Sequence, residues 1–192
     1  TGLGWPVDLA THVGHSGGLD LKGSRSGQTS IYYADFNNEV MFHVGPLLPT
    51  AENDDQNVLK KKHIGNDHIY IIYVDNDVDY DPSMISSQFG IVQFMVYPLP
   101  STGLFRVEVF SRKNETPWFG PLRNGTIVRK EALPSLIRNS AITAMANIWF
   151  QQKEFFSPIL ELAGLIEDCS TKRAIKDNVP FIAIEDLLEL HF

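Results

Sequence analysis

Cysteine is almost missing from this chain: Cys169 is the only one in 192 residues. One thiol cannot close an internal disulfide, so the fold depends on its core. That usage fits a reducing compartment, and the cytoplasm is the expected location. Positive charge is also in short supply. Sixteen Lys and Arg face 23 Asp and Glu, for a net charge of −7. This argues against a general nucleic-acid binder and requires any basic site to be local. Apolar runs are too short to span a bilayer, and the first residues are not a signal peptide. No glycine-rich phosphate loop occurs, no serine or cysteine nucleophile stands near a base, and no Cys/His cluster has metal-ligand spacing. Such absences count against a self-sufficient enzyme and leave no metal site to assign.

What the chain does have is 43% hydrophobic residues, enough for one domain with a sizeable core. It opens at Thr1-Gly2-Leu3-Gly4 without an initiator methionine, so it is expected to be an excised domain. Residues 12 to 27 are rich in Gly and Ser and read as a loop region. Thr29 to Ala34 and Glu39 to Gly45 form a hairpin pattern around Asp35-Phe36-Asn37-Asn38. His43, inside the second run, reads as a satisfied sheet histidine. Ile69 to Val74 and Gly90 to Leu99 are apolar on both alternating sets, as in strands buried on both faces. Leu104 to Phe110 alternates more cleanly and reads as a strand towards an edge.

These four or five strands are expected in one sheet. Pro117-Trp118-Phe119-Gly120-Pro121-Leu122 is expected to be a covered apolar loop. From Glu131 the period becomes helical, with Leu133, Leu136, Ile137, Ser140, Ala141, Ala144, Ile148 and Phe155 on one side. Further helices are expected at Ile159 to Asp168 and Ile184 to Phe192, joined by a polar linker over 172–178. The fold class is therefore α/β, with a mixed, largely antiparallel central sheet flanked by helices. Asp75-Asn76-Asp77-Val78-Asp79-Tyr80-Asp81 fails as a calcium loop, because Tyr80 stands where that loop needs glycine and Ser86 where it needs glutamate.

The functional stretch is Lys60-Lys61-Lys62-His63-Ile64-Gly65-Asn66-Asp67-His68, set against the apolar run that starts at Ile69. Acidic residues early in the preceding segment and lysines at its end suit a helix dipole. Gly65 then marks the helix stop, as the residue that reverses the chain without steric cost. Asn66 and Asp67 thus fall at a helix-to-strand junction, where a turn exposes a side chain and a strand fixes it. A carboxamide there can accept and donate hydrogen bonds without titrating, and the lysines favour an anionic partner. Spacing alone equally allows the plain alternative, in which Asn66 and Asp67 cap a turn and the lysines are a solvated helix end.

His63-Ile64-Gly65-Asn66-Asp67, preceded by basic residues and followed by an apolar strand, resembles the signature of the Rap GAP family, in its tuberin and Ral GAP alpha branches. Gly2-Leu3-Gly4-Trp5, Gly17-Gly18-Leu19, Val40 to Val44 and Leu48-Pro49-Thr50 are similar to family positions in the same order. Phe119-Gly120-Pro121-Leu122, Gly125 and Ile127-Val128 look more like the Ral GAP alpha branch. The resemblance covers residues 1 to 148.

It implies a GTPase activator and not an enzyme in its own right. Asn66 would be a thumb placed in the nucleotide site of a Ras-like small GTPase to orient the attacking water, unlike an arginine finger, which neutralises charge. It further implies that Lys61, Lys62, His63 and Asp67 contact the GTPase; Lys62 stands where the family often has arginine, and an ammonium makes point contacts in place of a bidentate fork. The GTPase would be Ral or Rheb rather than Rap. GTP and magnesium would belong to it, with no cofactor held by this chain. A companion subunit, Ral GAP beta-like or hamartin-like, is implied as well. Residues 1 to 192 would be one catalytic domain whose first strand and helix lie upstream of residue 1. Two alternatives compete: a non-catalytic interaction domain of a GAP complex, and a metal-dependent hydrolase using His63, His68 and the aspartate-rich loop.

Overall fold

The computed structural model describes residues 2–22, 25–50, 58–75, 79–85, 87–112, 119–151 and 164–169. The chain divides into two units, Thr1–Ile148 and Trp149–Phe192. In the second, the described residues include a helical stretch at 164–169 whose six residues are all exposed. That stretch falls in the helix expected at Ile159 to Asp168. Phe155, the polar linker over 172–178 and the final helix from Ile184 lie outside the described residues, as do Pro117 and Trp118.

Within the first unit the expected α/β class holds, with mostly antiparallel pairing and one parallel pair, but the strands form two sheets instead of one. The first sheet has the order β1-β2-β3 and the second β4-β5-β6-β7. In the first, β1 (Trp5–Asp8), β2 (Thr29–Ala34) and β3 (Glu39–Phe42) are antiparallel. The hairpin turn between β2 and β3 is held by Asp35, whose Oδ1 accepts the N–H groups of Asn37 and Asn38, both at 2.8 Å. A short acidic side chain that satisfies two turn amides is what makes this connection tight.

The second sheet is mixed. Its β4 (Ile69–Tyr73) lies parallel to β5 (Val92–Leu99), while β6 (Leu104–Ser111) and β7 (Thr126–Arg129) follow antiparallel. Val92 to Tyr97 are all buried, as the unbroken apolar run requires. Val92, Phe94 and Val96 pack into one cluster with Val107, Ile137, Ala144 and Ile148. Met95 and Tyr97 form another with Val74.

Two strand expectations change. Tyr73 is 60% exposed, because β4 is an edge strand and its end is not covered. Conversely, β6 is interior, and the edge belongs to β7, a short segment whose apolar content is only Ile127 and Val128. Phe119, half-buried, meets Phe94 edge-on at 5.9 Å, and Leu122 is 1% exposed, so the described part of the apolar loop is covered.

One helix, α2 (Leu133–Gln151), buries Ile137, Ser140, Ala144 and Ile148, the stripe that the sequence pattern marks. The other, α1 (Val58–Ile64), precedes β4. Its Ile64 packs on a small cluster of Leu9, Leu19 and Leu48 beside the first sheet. This helix end therefore sits between loop 12–28 and the start of the second sheet. Among the described residues no helix is long and apolar enough to cross a membrane.

Candidate functional site

The last turn of α1 carries Lys61, Lys62 and His63, where positive charge complements the helix dipole. Lys61 and Lys62 are exposed, and the ion pairs of the described residues include neither. Gly65 ends the helix, but for a different reason from the one expected. It is not among the glycines of positive φ. Its N–H donates to the Lys61 carbonyl at 2.7 Å, and a Cβ at Gly65 would lie 2.5 Å from that oxygen. Close approach to the carbonyl of the helix's own last turn demands glycine here, not reversal of the chain.

Asn66 is exposed at the turn. Its backbone N–H donates to the His63 carbonyl at 3.2 Å, and its Nδ2 donates to the Lys62 carbonyl at 2.9 Å. A carbonyl can only accept, so this partner fixes which end of the amide is nitrogen. The nitrogen is turned back onto the helix end. The oxygen accepts no hydrogen bond from a donor among the described residues. The side chain is thus an anchored acceptor and not a loose arm.

Asp67 faces inward. Its N–H donates to the Ile64 carbonyl at 3.1 Å, and its carboxylate oxygens lie 2.9 and 3.0 Å from His43 Nδ1. The other ring nitrogen of His43, Nε2, is 2.9 Å from the Gly17 carbonyl. His43 is satisfied, as expected, but it lies just past the end of β3 and links loop 12–28 to the turn that bears Asn66. Burial pushes this imidazole down. The Asp67 hydrogen bond and charge, with the carbonyls of Gly17 and His63, more than reverse that and raise it above an ordinary histidine.

His63 packs against His43, ring centroids 5.4 Å apart, and its Nε2 is 3.3 Å from Ser26 Oγ. Burial, the adjacent His43 and Lys62 all push its imidazole down. Ser26, 2% exposed, accepts the Asp20 N–H at 2.9 Å. Its own hydroxyl proton is then available to Nε2 of a neutral His63.

Two further ties fix the turn from the other side. Ser87 Oγ donates to the Gly65 carbonyl while accepting from the N–H groups of Phe89 and Gly90, both at 3.1 Å. The His68 carbonyl accepts from Ile91 and Val92 at 2.8 and 3.1 Å, which starts the parallel pairing. His68 itself stacks on Phe89 with rings 5° from parallel. Among the described residues no group of three or more His, Cys, Asp or Glu could hold a metal ion.

Of the residues singled out from sequence, Lys61, Lys62 and Asn66 share one exposed surface, whereas His63 and Asp67 are half-buried and engaged with Ser26 and His43. Sequence patterns do not point to Ser26, Ser87 or the linking role of His43. Gly17 stands out in the sequence only as part of a motif.

The chain matches the Rap/ran-GAP family over residues 1–161. It is 43% identical over 143 residues to the mouse Ral GTPase-activating protein subunit alpha-2, covering 74% of this chain and 7% of that protein. The human subunit alpha-1 is 38% identical over 143 residues, with the same coverage. The chain thus spans a small fraction of these relatives' length. Among solved structures, the TSC2 GAP domain is similar with a TM-score of 0.69 and 29% identity, over 79% of this chain and 82% of that one.

Proposed function

Because this chain belongs to the Rap/ran-GAP family, we propose that it stimulates GTP hydrolysis by a Ras-like small GTPase, with Asn66 as the residue supplied in trans. The observation that carries this reading is the exposed Asn66 amide, anchored through its nitrogen to the Lys62 carbonyl. Its oxygen, left free by that bond, can accept a hydrogen bond from the attacking water and so hold that water in line with the γ-phosphate. The second amide hydrogen remains for a phosphate oxygen or a GTPase side chain. Being neutral, the amide orients and does not neutralise, so the charge of the transition state is left to the magnesium and lysine of the GTPase.

Lys61 and Lys62 supply an electrostatic landing site on an otherwise acidic chain. His63 and Asp67 act one step removed, holding the turn. GTP and magnesium stay with the GTPase, and this chain adds no cofactor. Ral is the first candidate substrate, given the names of its relatives; Rheb is second and Rap third. A companion subunit of the Ral GAP beta or hamartin kind is expected in the full assembly, in the cytoplasm.

Single-turnover GTP hydrolysis with purified Ral, Rheb and Rap tests the reading. Asn66→Ala is expected to lower the stimulated rate on the order of 10³-fold while GTPase binding persists. Full stimulation by that variant removes Asn66 from the chemistry, and no stimulation of any of the three by the unaltered chain favours a non-catalytic docking domain.

A further inference from the structure

His43 has an acceptor at each ring nitrogen. A carboxylate lies 2.9 Å from Nδ1 and a backbone carbonyl 2.9 Å from Nε2, and neither can donate. A neutral imidazole has one N–H and one lone pair, so it would set a lone pair against one of these oxygens. Only the doubly protonated ring satisfies both. The surroundings agree. Asp67 faces the ring from the turn, the Gly17 carbonyl from loop 12–28, and His63 from α1, with Lys62 beyond it. Among the described residues His63 is the cationic candidate in direct ring contact, and its Ser26 partner suits the neutral form. The two neighbouring histidines therefore divide the charge, one carrying it and one not. Gly17 is shaped to this arrangement, with φ +60° and a position where a Cβ would press on Met41 at 3.0 Å and on His43 Nε2 at 3.4 Å.

We propose that His43, held as an imidazolium between Asp67 and Gly17, is the positioning residue for Asn66, and that stimulation of GTP hydrolysis is lost as this ring gives up its proton. The inference rests on the GTPase-activating reading above. The physical chain is short. The charged ring holds the Asp67 carboxylate, Asp67 is adjacent to Asn66, and the turn between them is already tied to α1 through Ile64 and His63. Without the proton, Nδ1 or Nε2 presents a lone pair to an oxygen, one tie breaks, and the turn is free to shift. Misplacement by about an ångström in a catalytic group costs on the order of 10²-fold in rate.

Two measurements on the 192-residue chain test it. The first is the ¹⁵N spectrum of His43, which is expected to show both ring nitrogens protonated at neutral pH. A neutral ring there overturns the proposal whatever the activity. The second is stimulated kcat with Ral·GTP as the varied substrate, divided by the intrinsic rate at each pH. For the wild type this ratio should fall as pH rises above the ordinary histidine range, with KM unchanged.

His43→Ala should lower kcat on the order of 10²-fold. His43→Asn places a non-titrating donor near Nδ1, so it should recover part of that loss and show a flat profile over the same range. An amide correlation spectrum establishes that each variant is folded. A His43→Asn profile that falls in step with the wild type overturns the proposal. If Asn66→Ala is inactive while that happens, only the role of His43 is lost. If Asn66→Ala is fully active, the GTPase-activating reading of the turn fails, and the ring measurement still decides the charge of His43.

Discussion

Asp67 shows how much one carboxylate can do for the group packed behind it. It supplies the hydrogen bond and the charge that overcome burial and lift His43 above an ordinary histidine. Asp67→Asn removes the charge but leaves the shape. Burial is then opposed by the Gly17 and His63 carbonyls without the Asp67 charge, and the His43 titration followed by NMR should move down from the wild-type value; no movement would mean that Asp67 is not the cause. The sign for stability follows. A pKa raised by folding contributes stability that is complete below the unfolded-state value and disappears as pH rises through the folded-state value. Denaturant midpoints of the wild type should therefore decline more than those of Asp67→Asn as pH rises above the ordinary histidine value.

Gly65 is the corresponding point at the level of elements, since it decides where α1 stops and β4 begins. Because a Cβ there would sit 2.5 Å from the Lys61 carbonyl, Gly65→Ala should destabilise the fold by about 1–3 kcal/mol as the backbone gives way. It should also lower stimulation more than binding, read as kcat against KM. A variant as stable and active as the wild type would show that the approach is not tight.

The elements are legible in the sequence to different degrees. The hairpin at Thr29–Phe42, the doubly buried β5 and the face of α2 are each written in a local pattern, so short-range periodicity finds them. So is the exposed junction at Asn66. The division into two sheets is not legible, because which strand pairs with which is settled by distant partners. Strand β7 escapes such a reading since two apolar residues between Thr126 and Arg129 carry little period. The His43–Asp67 and Ser26–His63 ties span 24 and 37 residues, and no window along the sequence brings those groups together.

As a whole molecule the protein is acidic, with net charge −7, yet its candidate site presents two exposed lysines on the end of a short helix. Such a chain repels anionic partners in general while this lysine pair attracts them locally, which favours orientation during encounter. Lys62→Glu reverses that spot. The association rate with a GTP-loaded GTPase, followed by stopped flow, should fall for this variant at low salt and converge on the wild-type value as salt is raised. An equal difference at all ionic strengths would point to a short-range interaction made by Lys62 and not to steering.

The hydrogen bond from Asn66 to the Lys62 carbonyl has a consequence in entropy. An exposed side chain normally samples several rotamers and must be frozen each time it is used, at about 0.5–1.5 kcal/mol. Here the hydrogen bond made on folding already biases the amide towards one conformer before any encounter. Under the proposed role of Asn66, a partner would then spend less of its own binding energy to stop the amide moving.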